Sequence, residues 1–121
     1  MTAPVTVIVA WDVAWPEHLP RLWPFEPRAQ EWYAGEEARR REGKRTSAMQ
    51  GAYLITAARL LGLHVGPMAG FRNTVVDVAF FPDGYWRSNF LCNLGYVDRE
   101  QEGAVRSRAP RLSFDEACLL A

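Results

Sequence analysis

The sequence has few of the residues that carry covalent, redox or metal chemistry. It contains two cysteines and two histidines among 121 residues. Cys92 and Cys118 lie in apolar surroundings and lack the close spacing of a metal-binding or redox pair. We interpret both as reduced core residues of a cytosolic protein, and the spacing predicts no zinc site.

Other protein-borne catalytic machinery is also nearly absent. His18 and His64 are isolated in the sequence, and no two carboxylates lie in a setting that would separate their pKa values. Ser88, Ser107 and Ser113 lack the context of a nucleophile elbow. If the protein is an enzyme, a cofactor brings the reactivity and the chain positions it.

The chain further lacks an excess of charge and a long apolar run. Fourteen basic and fourteen acidic residues give no formal net charge. The apolar run 5–11 ends at Asp12, too early for a membrane span or a signal peptide. We therefore expect neither nucleic acid nor a membrane as a partner. With 49% hydrophobic residues, the chain fits one globular domain that buries about 65% of its unfolded surface.

The most informative stretch is residues 47–71, SAMQGAYLITAARLLGLHVGPMAGF, which predicts a buried helix leading into a glycine-bracketed loop. Ser47 and Gln50 form a capping-box pattern that predicts the start of the helix. Gly62 stands where a left-handed residue would end it. Few polar residues lie between, so we expect the helix to be covered on most sides. Small residues recur on one face and would let a helix of a second subunit approach: Ala48, Gly51, Ala52 and Ala58.

The loop that follows, GPMAGF at 66–71, has two readings. Two glycines around a proline can hold backbone N–H groups outward and let a flat ligand lie against the main chain. An ordinary turn after a helix has the same composition in any fold. The residues of the loop leave both readings open.

The N-terminal half predicts one strand and a proline-rich connection. Residues 5–11 are β-branched on both faces, which favours a central strand buried above and below. Four prolines exclude a long helix from the first part of 12–46, although a helical turn fits 28–34. The aromatic residues of this connection either form a lid over a substrate pocket or fold the loop onto the surface.

The charged run 36–45 is typical of a solvated helix rather than of a nucleic-acid patch. Glutamates 36 and 37 precede arginines 40 and 41 by four residues each, which is the favourable order for helical ion pairs. After the loop, Asn73 is expected to cap a helix over 74–81, a turn follows at 82–84, and 89–97 predicts a strand.

The C-terminal region carries Arg106, Arg108 and Arg111 within six positions. Guanidinium groups match the oxygens of a phosphate, so these arginines could clamp one. A solvated basic tail is the alternative.

Four blocks taken together resemble the nitroreductase superfamily, closest to its malonic semialdehyde reductase branch in pyrimidine utilisation. They are TAPVTVIVAWD, SAMQGAYLITAARLLGLHVGPMAGF, SNFLCNLGYVD and PRLSFDEACLL, in this order. The resemblance implies an α+β nitroreductase fold, an intertwined homodimer, and an FMN-dependent reductase that uses NAD(P)H on a small-molecule substrate in the cytoplasm. The substrate implied is 3-oxopropanoate, reduced to 3-hydroxypropanoate.

The resemblance also implies the cofactor-binding residues. Pro67, Met68, Ala69 and Gly70 would lie against the isoalloxazine ring, with main-chain N–H groups near its N5 and O4 edge. Backbone donors at that edge would stabilise the charge that develops on reduction. Arg111 would bind the FMN phosphate, with Arg108 as a second contact.

The family has an N-terminal region with an arginine- and serine-containing motif that residues 1–121 lack. The chain is therefore expected to be a single partial nitroreductase-like domain, the C-terminal part of a reductase. Two alternatives follow. One is a non-catalytic remnant or partner subunit that dimerises without flavin, and the other is a reductase of nitroaromatics or quinones.

Overall fold

The computed structural model describes residues 3–98, 100 and 107–120. It has a three-stranded antiparallel sheet with one long helix packed on it, which agrees with the expected α+β class. The strands are β1 (Val5–Asp12), β2 (His64–Met68) and β3 (Trp86–Gly95). The helices are α1 (Leu19–Leu22), α2 (Glu36–Leu60), α3 (Asn73–Phe80) and α4 (Phe114–Ala117).

The order of the sheet is β1-β3-β2, so β3 is the central strand. Val7 pairs with Cys92 on one side of β3, and Pro67 pairs with Cys92 on the other. The strand predicted at 5–11 is therefore confirmed, but its expected central position is wrong. Its β-branched residues are mostly half-buried, because β1 pairs on one side only within the described residues.

Helix α2 begins at Glu36, eleven residues before the predicted start at Ser47. The charged run 36–45 contains no proline and continues directly into the apolar half, so nothing interrupts the backbone ladder. Ser47 lies inside the helix, and its hydroxyl donates to the Lys44 carbonyl at 3.1 Å instead of capping.

The ends and the ion pairs of α2 show what local pattern can and cannot predict. The Leu63 N–H donates to the Ala58 carbonyl and the Gly62 N–H to the Arg59 carbonyl. With Gly62 at φ 83°, these bonds form the Schellman ending that the sequence predicts. The expected i,i+4 ion pairs are wrong in detail, since the helix instead has two i,i+3 pairs, Glu37 with Arg40 and Glu42 with Arg45.

Two glycines of α2 face the chain's own sheet. A Cβ on Gly43 would lie 2.4 Å from Trp11 Cε3, and one on Gly51 would lie 2.3 Å from Phe90 Cζ. Both glycines therefore pack against the chain's own sheet, and Ala58 of the same helix is buried. This corrects the expectation that Gly51 faces a second subunit.

The opposite side of α2 is open to solvent in this chain. Met49 is 52%, Tyr53 79% and Leu60 84% exposed. The expectation that most sides of the helix are covered is therefore wrong for the single chain. Within the described residues, no helix has both the length and the apolar character needed to cross a membrane.

The connection between β1 and α2 packs on itself through aromatic pairs, and the Trp15 indole N–H donates to the Arg39 carbonyl of α2 at 3.2 Å. Trp15 lies 4.5 Å from Tyr33 and Trp23 lies 5.8 Å from Trp32 between ring centroids. A 3-10 helix at Ala29–Tyr33 agrees with the helical turn predicted at 28–34. These contacts favour the surface-cluster reading of the aromatic residues.

Helix α3 and the strand β3 are tied together by polar side chains. The helix matches the prediction within one residue, and the following turn has Gly84 at φ 74°. Asn73 is not a cap, because its amide donates to the Ser88 carbonyl at 2.8 Å and to the Ser88 hydroxyl at 3.0 Å. The Asp77 carboxylate accepts the Ser88 N–H at 2.8 Å. The N–H, the carbonyl and the hydroxyl of the buried Ser88 therefore all have hydrogen-bond partners on α3, and these residues form the wall between α3 and β3.

The C-terminal segment, residues 107–120, is exposed along its whole length. Its described hydrogen bonds all join residues of the segment itself. Cys118 is exposed, which corrects its assignment to the core, whereas Cys92 is fully buried as expected. Arg106 lies outside the described residues.

Candidate functional site

A pocket of about 330 Å³, here called the β2 pocket, lies between α2 and the end of β2. Three of the four residues expected at the flavin ring line it, namely Pro67, Met68 and Ala69. The other lining residues come from α2 and β3 and are Ala48, Ala52, Ile55, Asn89 and Phe90. None of the lining side chains carries a charge, so the pocket suits an uncharged, flat group.

The backbone of the GPMAG stretch is a strand for most of its length. Gly66 pairs with Asn93 and Met68 with Leu91, so the loop expected at 66–68 is an edge strand instead. Gly62 and Gly84 are the positive-φ glycines of the described chain, and Gly66 and Gly70 therefore do not hold the backbone in a left-handed turn. Three consecutive residues with strand geometry fit the pairing to β3, which local turn composition could not reveal.

The edge position supplies the exposed backbone that the glycines were expected to provide. Strand β2 pairs with β3 on one side, and its other side carries unpaired main-chain groups within the described sheet. Pro67 has no N–H, and the Phe71 N–H is held by the Ala69 carbonyl at 3.0 Å. A Cβ on Gly70 would meet nothing within 4 Å, so the main chain there is open to a close neighbour.

The residues present fit the ring of a flavin better than its phosphate. Small side chains and an open strand edge leave room for a planar ring against the main chain. Arg108 and Arg111 are exposed in the C-terminal segment, and the Arg111 guanidinium donates to the carbonyls of Ala109 and Pro110. No described hydrogen bond joins either arginine to residues 66–71, so the structure does not bring the two expected halves of the site together.

A second pocket, here called the tryptophan pocket, has a volume of about 340 Å³ and contains a histidine–aspartate pair. His18 Nε2 lies 3.1 Å from Asp12 Oδ2, while Asp12 Oδ1 accepts the Ala14 N–H at 2.7 Å. The carboxylate is therefore held by two partners and orients the imidazole ring. Trp11, Trp15 and Trp86 line the same pocket.

The expectation that His18 is isolated is wrong. The two residues are six apart, and a 3-10 helix at Trp15–His18 folds the chain back so that they meet at the end of β1. The proline at position 16, in the first turn of that helix, was the available signal.

The buried cysteine has a structural role. Cys92 is fully buried in the middle of β3, and burial raises the pKa of its thiol. A thiol with a raised pKa is a poor nucleophile, in agreement with the core assignment. The described residues hold no group of three or more side chains suited to bind a metal ion.

No family model matches the chain. It is 52% identical over 117 residues to a protein of Ralstonia nicotianae, covering 96% of this chain and 58% of that protein. It is 51% identical over 122 residues to one of Stutzerimonas stutzeri, covering 100% and 60%. It is 52% identical over 118 residues to one of Xanthomonas oryzae, covering 97% and 58%.

Each of these relatives is named "Putative NADH dehydrogenase/NAD(P)H nitroreductase". The chain spans about three fifths of the length of the curated relatives that it matches. These likenesses support the nitroreductase family, which the four sequence blocks resemble.

Proposed function

We propose that this chain belongs to a nitroreductase-type NAD(P)H oxidoreductase that depends on FMN. The observation that carries the proposal is the β2 pocket, where Pro67, Met68 and Ala69 line an uncharged cavity beside small residues of α2. The names of relatives about 50% identical to the chain support the reaction class. When bound, FMN would accept a hydride from NAD(P)H and pass it to a small oxidised substrate.

The chain's own residues would act on the ring by position and by excluding water. Ala48 and Ala52 present short side chains, so a flat ring can approach the backbone of α2 closely. The free edge of β2 and the open main chain at Gly70 would direct N–H groups at the rim of the ring. Fixed donors of this kind favour the charge that develops there without requiring a charged side chain.

The phosphate end requires a rearrangement of the C-terminal segment. The Arg111 guanidinium donates to the carbonyls of Ala109 and Pro110, and Arg108 is exposed. These cations would reach the cofactor if residues 107–120 docked on a second copy of the chain. A part of the relatives that does not align with this chain is the other surface on which the segment could dock. FMN binding by Arg108 and Arg111 is therefore part of the proposal.

The absorption spectrum of the purified chain after incubation with FMN and removal of free flavin tests cofactor binding. We expect retained flavin bands in the wild type and at least a tenfold loss of affinity in Ala52→Leu, which fills the pocket. Ala57→Leu is the matched control, because Ala57 is exposed on the same helix and does not line the pocket. A colourless wild type, or equal binding by both variants, would contradict the proposed flavin site.

We propose 3-oxopropanoate as the substrate, following the malonic semialdehyde reductase branch that the sequence resembles. NAD(P)H oxidation by the flavin-loaded protein should then be faster with this aldehyde than with a nitroaromatic or a quinone. Faster turnover of either alternative acceptor would assign the protein to another branch. No NAD(P)H oxidation with any acceptor, in a protein that retains flavin, would exclude the enzymatic function.

The second proposal is a homodimer formed through the open side of α2. The same interface would serve the alternative of a non-catalytic subunit that dimerises without flavin. The exposed Met49, Tyr53 and Leu60 form an apolar face with no cover in the described chain. Tyr53→Glu should convert dimers to monomers in light scattering, whereas Val78→Glu, at an equally exposed position of α3, should not. A wild-type monomer would exclude this assembly.

A further inference from the structure

We propose that the pocket between the N-terminal half of α2, the end of β1 and α3 binds a phosphate-type oxyanion. This cationic pocket has a volume of about 390 Å³ and shares no lining residue with the β2 pocket. Six charged side chains line it, four of them cations and two carboxylates: Arg39, Arg40, Lys44, Arg87, Glu36 and Asp77. The lining therefore carries an excess of positive charge although the whole chain has none.

Two buried donors of this pocket have no partner. Trp11 Nε1 and Arg39 Nε are buried nitrogen atoms without a hydrogen bond within the described residues, and both side chains line the cationic pocket. Trp11 is only 9% exposed, so water does not reach its indole freely. Both groups can only donate, and a buried donor without an acceptor is unfavourable. The missing partner is therefore an acceptor, which excludes a metal cation.

Within the described residues, no acceptor of the wall bonds to Trp11 Nε1 or Arg39 Nε. Asp77 Oδ1 accepts the Ser88 N–H at 2.8 Å, and the Asn73 amide is bound to Ser88. These bonds hold the wall between α3 and β3 in place. Glu36 is exposed in the first turn of α2 and has no described salt bridge with a cation of the pocket.

Three of the four cations have no described salt bridge and can contact a ligand. Among the described salt bridges of these four residues, only Arg40 has a carboxylate partner, Glu37. Arg39 and Arg87 offer planar guanidinium forks that match two oxygens of one phosphate, and Lys44 adds a mobile point charge. Several donors with a surplus of positive charge select a multiply charged oxyanion over a neutral ligand.

Inorganic phosphate is the probe for this site, and the indole N–H signal of Trp11 in a ¹H–¹⁵N NMR spectrum is the readout. We expect phosphate to shift this signal more than the indole signals of the other four tryptophans. The Trp11 signal is identified as the one that disappears in Trp11→Phe. Arg39→Gln should weaken phosphate binding about tenfold or more, because it removes a charge-assisted hydrogen bond. Arg87→Gln is a second variant, and because Arg87 is exposed we expect its replacement to leave the fold intact.

Arg45→Gln is the matched control, because Arg45 is an exposed cation of the same helix that pairs with Glu42 and does not line the pocket. Its affinity for phosphate should stay within twofold of the wild type. An unmoved Trp11 signal at tens of millimolar phosphate, or equal losses in Arg39→Gln, Arg87→Gln and Arg45→Gln, would overturn the proposal.

The source of the phosphate is tested separately, and this arm rests on the proposed function. If the site takes the phosphate of a dinucleotide, NADP⁺ should move the Trp11 signal at lower concentration than NAD⁺, and Arg39→Gln should remove the difference. If both dinucleotides behave alike while phosphate still binds through Arg39, the oxyanion site stands and its ligand is a free phosphate. Failure of flavin binding leaves the phosphate titration unaffected.

Discussion

The body of the chain, residues 3–98, and the C-terminal segment, residues 107–120, differ in how their polar groups are satisfied. In the body, hydrogen bonds join residues far apart in sequence, as Asn89 Nδ2 does with the Ser47 hydroxyl at 2.9 Å. In the segment, the described bonds are local, and α4 is held by a capping box between Ser113 and Glu116. A helix with good local signals is therefore present in both regions, but only the body has tertiary contacts that position side chains.

The difference also explains why the expected flavin site is divided. The residues expected at the flavin ring lie in the body, whereas Arg108 and Arg111 lie in the segment. Large apolar residues of the segment are exposed, among them Leu112, Phe114, Leu119 and Leu120. Such a row of exposed apolar side chains needs another surface to pack against. Under the proposed function, the two parts of the site would meet only after that packing.

The largest effect is expected where α2 approaches the sheet most closely. Gly43→Ala would place a Cβ 2.4 Å from Trp11 Cε3 and 2.8 Å from Trp11 Cδ2. Because the indole is buried, we expect a loss of about 2–3 kcal/mol in the free energy of unfolding, in spite of the better helix propensity of alanine. Urea denaturation followed by circular dichroism measures it.

Gly70→Ala is the control for this prediction, since a Cβ there meets nothing within 4 Å and its φ is not left-handed. Its stability should be unchanged or slightly higher. Equal losses in the two variants would show that the contact between Gly43 and Trp11 is not tight.

Removing a carboxylate should lower the free energy of unfolding in the body but not in the segment, and this effect is smaller than the one at Gly43. Asp77→Ala leaves the buried Ser88 N–H without its acceptor, so we expect a loss of about 1–3 kcal/mol in unfolding free energy. Asp77→Asn, which keeps an acceptor oxygen, should recover part of it. Asp115→Ala, in the exposed α4, should change global stability by less than about 0.5 kcal/mol.

Apolar residues of the segment should contribute little to the stability of the isolated chain. Leu119 is 92% exposed, so Leu119→Ser should change the unfolding free energy by less than about 0.5 kcal/mol. The measurement must be made at concentrations where the chain is monomeric. A loss above about 1 kcal/mol would mean that the segment packs on the body and that its contacts are not only local.

The smallest effect is a local dependence on pH in α4. The pKa of Glu116 is lowered because its carboxylate accepts the Ser113 N–H at 2.9 Å and the Ser113 hydroxyl at 2.8 Å. A lowered pKa means that the contribution to helix stability is present above the ordinary glutamate pKa and is lost as pH falls through the lowered value.

Amide signals of α4 should therefore shift toward disordered positions as the solution is acidified, whereas those of α2 stay in place. Glu116→Gln should remove the pH dependence, because the amide does not titrate in this range. A dependence that persists in this variant would assign the effect to another group.

Local sequence rules predicted elements whose determinants lie within a few residues. The Schellman ending at Gly62, the turn at Gly84 and the helical turn near 28–34 were predicted for this reason. The start of α2 was misplaced at Ser47, because a capping-box pattern is a signal only where the preceding residues are not helical. The position of β1 at the edge was missed, because strand order depends on pairings between residues 74 to 89 positions apart.

The candidate sites divide in the same way. Pro67, Met68 and Ala69 were predicted to lie at one site, and they do line one pocket, although as an edge strand rather than a loop. The pairing of His18 with Asp12 and the two unpartnered donors of the cationic pocket were not predictable, because each depends on side chains brought together by the fold.

By itself, the sequence determined that residues near 47–60 and 73–80 are helical and that residues near 5–12 and 86–95 are extended. It also determined where α2 ends and that Cys92 is buried, since propensity, capping and apolar pattern act over short distances. Only the tertiary structure decided the order of the strands, the side of α2 that faces the sheet, and the groups that line each pocket. These features depend on close packing between distant residues, such as Gly43 against Trp11 and Gly51 against Phe90, and no local pattern contains the partner of such a contact.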